Sequence, residues 1–248
     1  MDWMRTTCAL VRRELNAFFG SPVAYVFLIV FLMLTAFLTF GIGRYYESGQ
    51  ADLREVFFGL HPWVYLILVP AAAMRLWAEE RRSGTIELLL TLPVTLTQAI
   101  LGKFIAAWIF LLVALLLTCP VVITTYYLGS PDTGMIIGGY IGSFLLAGTY
   151  LSIGLLTSAM TRNQVISFVL SLVFCLFLLL AGYPPVTDMF VRWAPAGLVR
   201  IVSAFSFMPH FEAIQRGVID LRNLVYFASV MIFMLFATFL VLNNRKAA

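Results

Sequence analysis

Charge is what this sequence has least of. Of its 248 residues only 11% are Asp, Glu, Lys or Arg, against 62% hydrophobic and 15% aromatic, and the mean hydropathy is +0.97. Soluble domains carry about 25% charged residues, and a globule of this composition lacks the polar atoms to cover its own surface. A soluble enzyme, a disordered chain and a nucleic-acid-binding module are thereby excluded. Cysteine and histidine are fewer still. Cys8, Cys119 and Cys175 form no CxxC or Cys/His cluster, so neither a disulfide nor a metal site is expected. His61 and His210 each stand beside a proline at an expected membrane end and read as structural or interfacial. Asp188, Glu212 and Asp220 fit no carboxylate-dyad spacing, so no catalytic residue is expected. A phosphate-cradling G-x-x-x-x-G-K-[ST] is missing as well, because Gly102-Lys103 has neither the upstream glycine nor a following Ser or Thr.

What the chain does have is long apolar runs. A bilayer core about 30 Å thick takes roughly 20 apolar residues of helix to cross. Six windows contain no Asp, Glu, Lys or Arg: 22–42, 62–74, 104–128, 135–160, 165–183 and 224–242. The second is short and reaches span length only by running through Arg75 to Trp77, with Trp63 and Trp77 bracketing it as interfacial anchors. The expectation is an all-α integral membrane protein of six transmembrane helices forming a single domain, residues 1–248. Six crossings put both termini on one side. With that side inside, ten of the sixteen Lys and Arg lie inside, which places the termini in the cytoplasm. Ionisable side chains at membrane depth are the usual mark of a proton- or ion-coupled carrier, and these windows hold none.

The connections carry their own signals. Residues 1–20 read as an amphipathic helix with Met4, Cys8, Val11, Leu15 and Phe18 along one stripe. Arg5, Arg12 and Arg13 lie elsewhere around it, suited to anionic head groups at the inner interface. Gly20-Ser21-Pro22 should end this helix, and no small-residue cleavage site follows the first apolar run, so a cleaved signal peptide is not expected. Residues 51–58 suit a short amphipathic helix, and 129–134 a tight turn. The 39 residues 184–222 mix prolines and charges with apolar side chains and are expected to form short re-entrant helices on the outer side. There Arg192, Arg200 and Arg216 have Asp188, Glu212, Asp220, lipid phosphates or an anionic cargo as possible partners. Gly138 and Gly142 make a G-xxx-G for close helix packing, within the chain or at a dimer seam.

The inner connection, residues 79–93, has an order that simple loops lack. The charge block Glu79-Glu80-Arg81-Arg82 comes first, then the breaker Ser83-Gly84-Thr85, then Ile86-Glu87-Leu88-Leu89-Leu90, and then Thr91-Leu92-Pro93 as a stop. A short helix presenting Ile86, Leu89 and Leu90 to the cytosol carries an apolar patch of the kind that docks a partner. The alternative is a solvated turn with its leucines folded onto the bilayer interface. The string resembles the first cytoplasmic loop and coupling helix of ABC-2 type transporter permeases, on Glu79, Glu80, Arg81, Arg82, Gly84, Thr85, Leu88, Leu89, Leu90 and Pro93. The closing segment is similar to the gliding-motility-type branch of that family, on Phe211, Arg216, Gly217, Val218, Ile219 and Asp220.

The resemblance implies a permease subunit of an ATP-binding cassette transporter in the bacterial inner membrane, with export as the expected direction. It implies a second permease chain, identical or homologous, and a cytoplasmic ATP-binding subunit that holds ATP and magnesium, since this chain has no cofactor of its own. Closure of the ATPase pair would push the coupling helix, and ATP would supply the difference between two states that such a shift requires. Two other readings stay open on the residues alone: a channel or secondary carrier without an ATPase, and a membrane anchor that holds an ATPase without transporting anything.

Overall fold

The computed structural model describes residues 2–47, 49, 52–85, 94–183, 186–188 and 203–244, and no strand occurs among them. Helix α1 (Asp2–Phe19) ends at Gly20, and Pro22 opens α2 (Pro22–Ala36), which runs on into a wider π-helical turn, Phe37–Ile42. A proline at the first position of a helix costs no hydrogen bond, because that N–H has no intrahelical partner. Next come α3 (His61–Ala73), α4 (Ala78–Ser83), α5 (Leu96–Leu116), α6 (Cys119–Leu128) and α7 (Thr133–Met160). The chain closes with α8 (Gln164–Leu180), α9 (Met208–Gln215) and α10 (Leu221–Asn244).

Five described stretches are long and apolar enough to cross a membrane: Pro22–Ile42, Phe58–Ser83, Leu96–Leu128, Thr133–Met160 and Leu221–Asn244. The expected fifth of six spans is the shorter α8, whose 17 residues reach about 25 Å. Two spans are bent where the sequence suggests straight runs. Pro120 breaks the window 104–128 into α5 and α6, and Thr118 covers the break by donating to the Leu115 carbonyl at 2.6 Å and meeting Tyr140 at 3.0 Å. Helix α5 also starts eight residues before that window, because Thr95 and Gln98 form a capping box ahead of it. Phe58–Ser83 bends at 74–77, just past Pro70.

Helix α7 is the axis of the bundle, packed by α3, α5, α8, α9 and α10. Its buried face is rich in Gly, Ser, Ala and Thr. Between helices in lipid, close packing replaces the hydrophobic effect, and small residues permit it. Trp108 of α5 lies against this face, stacked on Phe144 at 4.3 Å with its Nε1 donating to the Phe144 carbonyl, and a Cβ on Gly148 would come within 2.8 Å of that Nε1.

Several expectations are corrected here. Trp77 is no interfacial anchor: it is 0% exposed. Residues 52–60 form turns and a 3-10 turn at Phe58–Leu60, not an amphipathic helix, and Leu53, Phe57 and Phe58 fill a small second core with Val121 and Met135. Helix α1 exists, and of the expected stripe Phe18 is buried, Val11 and Leu15 are half-buried, and Met4 and Cys8 are exposed; Thr7 and Leu10 are buried beside it. The cause is α5, which runs alongside: Gln98 donates to the Trp3 carbonyl, Leu10 fits over Gly102, and Phe18 stacks on Phe110 at 5.3 Å.

Candidate functional site: a polar knot at the base of residues 79–93

Residues 78–85 leave the membrane bundle toward the segment that the sequence singles out. Helix α4 is one and a half turns long and stops at Gly84, whose φ of +74° is left-handed. Only glycine adopts that conformation without strain, and it is the usual way to end a helix and redirect the chain. Ser83 donates to the Glu79 carbonyl and meets the Thr85 hydroxyl at 2.9 Å, tightening the turn. The expected break at Ser83-Gly84-Thr85 is therefore present. Ile86, Leu88, Leu89, Leu90 and Pro93 lie outside the described residues.

Three connections fasten α4 to the bundle. The first is at the bend before it. The backbone N–H groups of Trp77 and Ala78 have no helical partner there, and both donate to Ser158 Oγ at 3.0 Å; Ser158 in turn donates to the Met74 carbonyl at 2.9 Å. One hydroxyl of α7 thus satisfies a kink in the neighbouring span, as non-helical backbone in a membrane protein requires. In the second, the Arg81 guanidinium donates to the Ala159 carbonyl near the end of α7.

The third connection is ionic. Lys103 of α5 is 4% exposed, and its Nζ lies 2.7 Å from Glu80 Oε1 and 3.4 Å from Glu14 Oε2. The same ammonium sits 5.2 Å above the centroid of the Trp77 ring. Glu14 also accepts from Arg13 at 2.7 Å. One cation therefore ties together α1, α4 and α5. Such a buried set is weak evidence for stability, because desolvation offsets most of the attraction. It does fix a geometry: withdrawing the lysine leaves two partly buried carboxylates without their shared cation. Beside the knot is a cavity of about 350 Å³ lined by Glu14, Ser21, Arg75, Glu79, Glu80 and Lys103 among others.

The other sequence-derived residues divide as follows. Glu79, Arg82, Gly84 and Thr85 are exposed on α4 and its end, as are Arg5, Arg12 and Arg13 on the outer face of α1. Gly138 and Gly142 serve a contact within the chain: a Cβ on Gly138 would strike the Ile214 carbonyl of α9, and one on Gly142 would press on Ile214 and Phe211 at 3.3–3.4 Å. Phe211 is buried in that contact. Gly217, with φ +84°, turns the chain beside Gly134, and Asp220 accepts from the Arg222 N–H at the start of α10. Arg216 is exposed, and no ion pair joins it to Glu212, Asp188 or Asp220 among the described residues; Arg192 and Arg200 lie outside them. His61 is fully enclosed, stacked on Tyr65 and 2.7 Å from Ser143, whereas His210 stacks on Tyr226 and meets Asn223 at 2.8 Å.

Sequence reasoning missed Lys103 and Glu14 as members of the site. The signal was there. Lys103 is a lone cation eight residues into a helix that is otherwise apolar, and a charge so placed needs a partner.

Compared with protein families, residues 21–218 match the family described as ABC-2 family transporter protein. A comparison with curated proteins gives no match.

Proposed function

The chain belongs to the ABC-2 transporter family, and on that premise we propose that it is the permease subunit of an ATP-driven exporter, worked through residues 79–93 by a separate ATP-binding subunit. The observation that carries this reading is the knot. A segment that a motor grips must be fastened to the helices it moves, and the base of this one is fastened to α1, α5 and α7 through Glu80, Arg81 and the Ser158 clamp. Exposed Glu79 and Arg82 remain for a partner, and Ile86, Leu89 and Leu90 supply the apolar contact. ATP and magnesium belong to the partner.

The same reading takes α8 as the fifth of six crossings. Only residues 161–163 separate it from α7, so it must run back beside α7. Both termini then face the cytoplasm of a bacterial inner membrane, with Arg5, Arg12 and Arg13 toward its head groups. Helix α9 and its flanks form the re-entrant outer piece, supported by Phe207, whose ring meets Tyr150 at 5.1 Å well down α7. The string at Phe211, Arg216, Gly217 and Asp220 favours the gliding-motility-type branch, and a second permease chain completes the pore.

The test is Leu89→Asp. Co-expressed with the ATP-binding subunit, this variant loses co-purification or leaves ATP turnover uncoupled, whereas the wild-type chain retains both. Unchanged association and turnover would contradict the assignment of residues 79–93.

A further inference from the structure

The far end of the bundle, opposite the knot, holds a cavity of about 480 Å³. Its floor is apolar and aromatic: Met208 and Phe211 of α9 are buried there, and Trp63 meets Tyr183 edge to face at 5.7 Å. Its rim is charged with both signs, Arg54 and Glu55 on the chain leading into α3, Glu212 and Arg216 on α9. Among the described residues none of these four is in an ion pair. Arg54 Nε is buried without a hydrogen-bond partner. The Gln215 side chain donates to the Arg54 carbonyl and so holds the two rims together through backbone, leaving the charged groups for something else.

Two cations and two anions over an aromatic floor suit neither a simple anion nor a hydrocarbon. An anion would face Glu55 and Glu212, and a hydrocarbon would leave charges unmatched in a partly enclosed space. A zwitterion with an apolar tail satisfies every wall. Trp and Tyr at a membrane end mark head-group depth, and the volume falls within the range of small-ligand sites. We propose that this cavity binds the head group of a zwitterionic amphiphile of the phosphoethanolamine type. Its phosphate lies toward Arg54 and Arg216, its ammonium toward Glu212 and Glu55, and its first apolar carbons on Trp63, Tyr183, Met208 and Phe211. The site rests on the cavity and not on the motor.

The experiment uses the full chain in detergent, without any ATP-hydrolysing subunit, so its failure leaves the coupling reading intact. Retention of phosphatidylethanolamine and phosphatidylglycerol is compared by native mass spectrometry, with free O-phosphoethanolamine as competitor. The expected result is retention of phosphatidylethanolamine roughly tenfold over phosphatidylglycerol, the size of one charged hydrogen bond gained. Glu212→Gln abolishes that preference, Arg216→Gln weakens retention of both lipids, and the free head group competes poorly for want of a tail. Equal retention of the two lipids by the wild-type chain would overturn the proposal, and so would competition by free O-phosphoethanolamine as effective as that of the lipid.

Discussion

Lys103 decides most at the scale of single residues. It is the shared cation for Glu80 and Glu14, almost wholly out of water and above the Trp77 ring. Removing one partner of a buried ionic set costs about 3–5 kcal/mol, because the uncompensated charges stay behind. Glu80 keeps some exposure, so the lower end of that range applies to Lys103→Met, read as a fall in the detergent unfolding temperature. Neutralising the whole set, with Glu14→Gln and Glu80→Gln added, should recover most of that stability, since apolar or neutral replacements of such sets are often tolerated. If Lys103→Met left the unfolding temperature unchanged, the ammonium would not be holding the three helices. Lys103 was readable in the sequence only as a charge out of place. Its partners lie 23 and 89 positions away, and the hydrophobic pattern contains nothing that pairs them.

Among the elements, the bend between α3 and α4 and the seat of α9 each depend on small residues of α7, Ser158 at the bend and Gly138 with Gly142 under α9. Ser158→Ala would leave the Trp77 and Ala78 N–H groups unpaired, each at about 1–3 kcal/mol. Hydrogen exchange across residues 74–83 should accelerate while α5 stays protected; unaltered exchange there would mean that the Ser158 hydroxyl is not what closes the bend. Gly138→Ala puts a methyl group against the Ile214 carbonyl, backbone that cannot step aside cheaply, so a cost of roughly 1–3 kcal/mol is expected. Gly84→Ala meets open space and costs only the left-handed backbone, about 1 kcal/mol. An order of Gly84→Ala harsher than Gly138→Ala would contradict the seating of α9. Much at this scale was legible. The break at Gly20-Ser21-Pro22, the turn at 129–134 and the G-xxx-G follow from local chemistry. The bends in the second and third spans were not, because Pro70 and Pro120 lie within unbroken apolar runs, and the hydroxyl that satisfies the first bend, Ser158, comes from a distant helix. On α1, Phe18 was read correctly as buried, but Thr7 and Leu10 were missed for a related reason. A stripe can be counted along the chain, but the neighbour that selects which edge of it is covered cannot.

Taken whole, the molecule is a membrane bundle of the ABC-2 family built around α7, with a knotted base at one end and a charged, aromatic cavity at the other. Helices α2 and α10 keep most of their apolar surface outward, as suits lipid or a second permease chain. The most direct test of the account is ATP turnover by the partner ATP-binding subunit in proteoliposomes. It is measured without this chain, with the wild-type chain, and with the folded Glu14→Gln, Glu80→Gln, Lys103→Met variant. The account predicts that turnover responds to the wild-type chain, and that the variant still associates with the subunit but no longer alters its rate. Turnover indifferent to the presence of the chain, or altered equally by the wild-type chain and the variant, would contradict it.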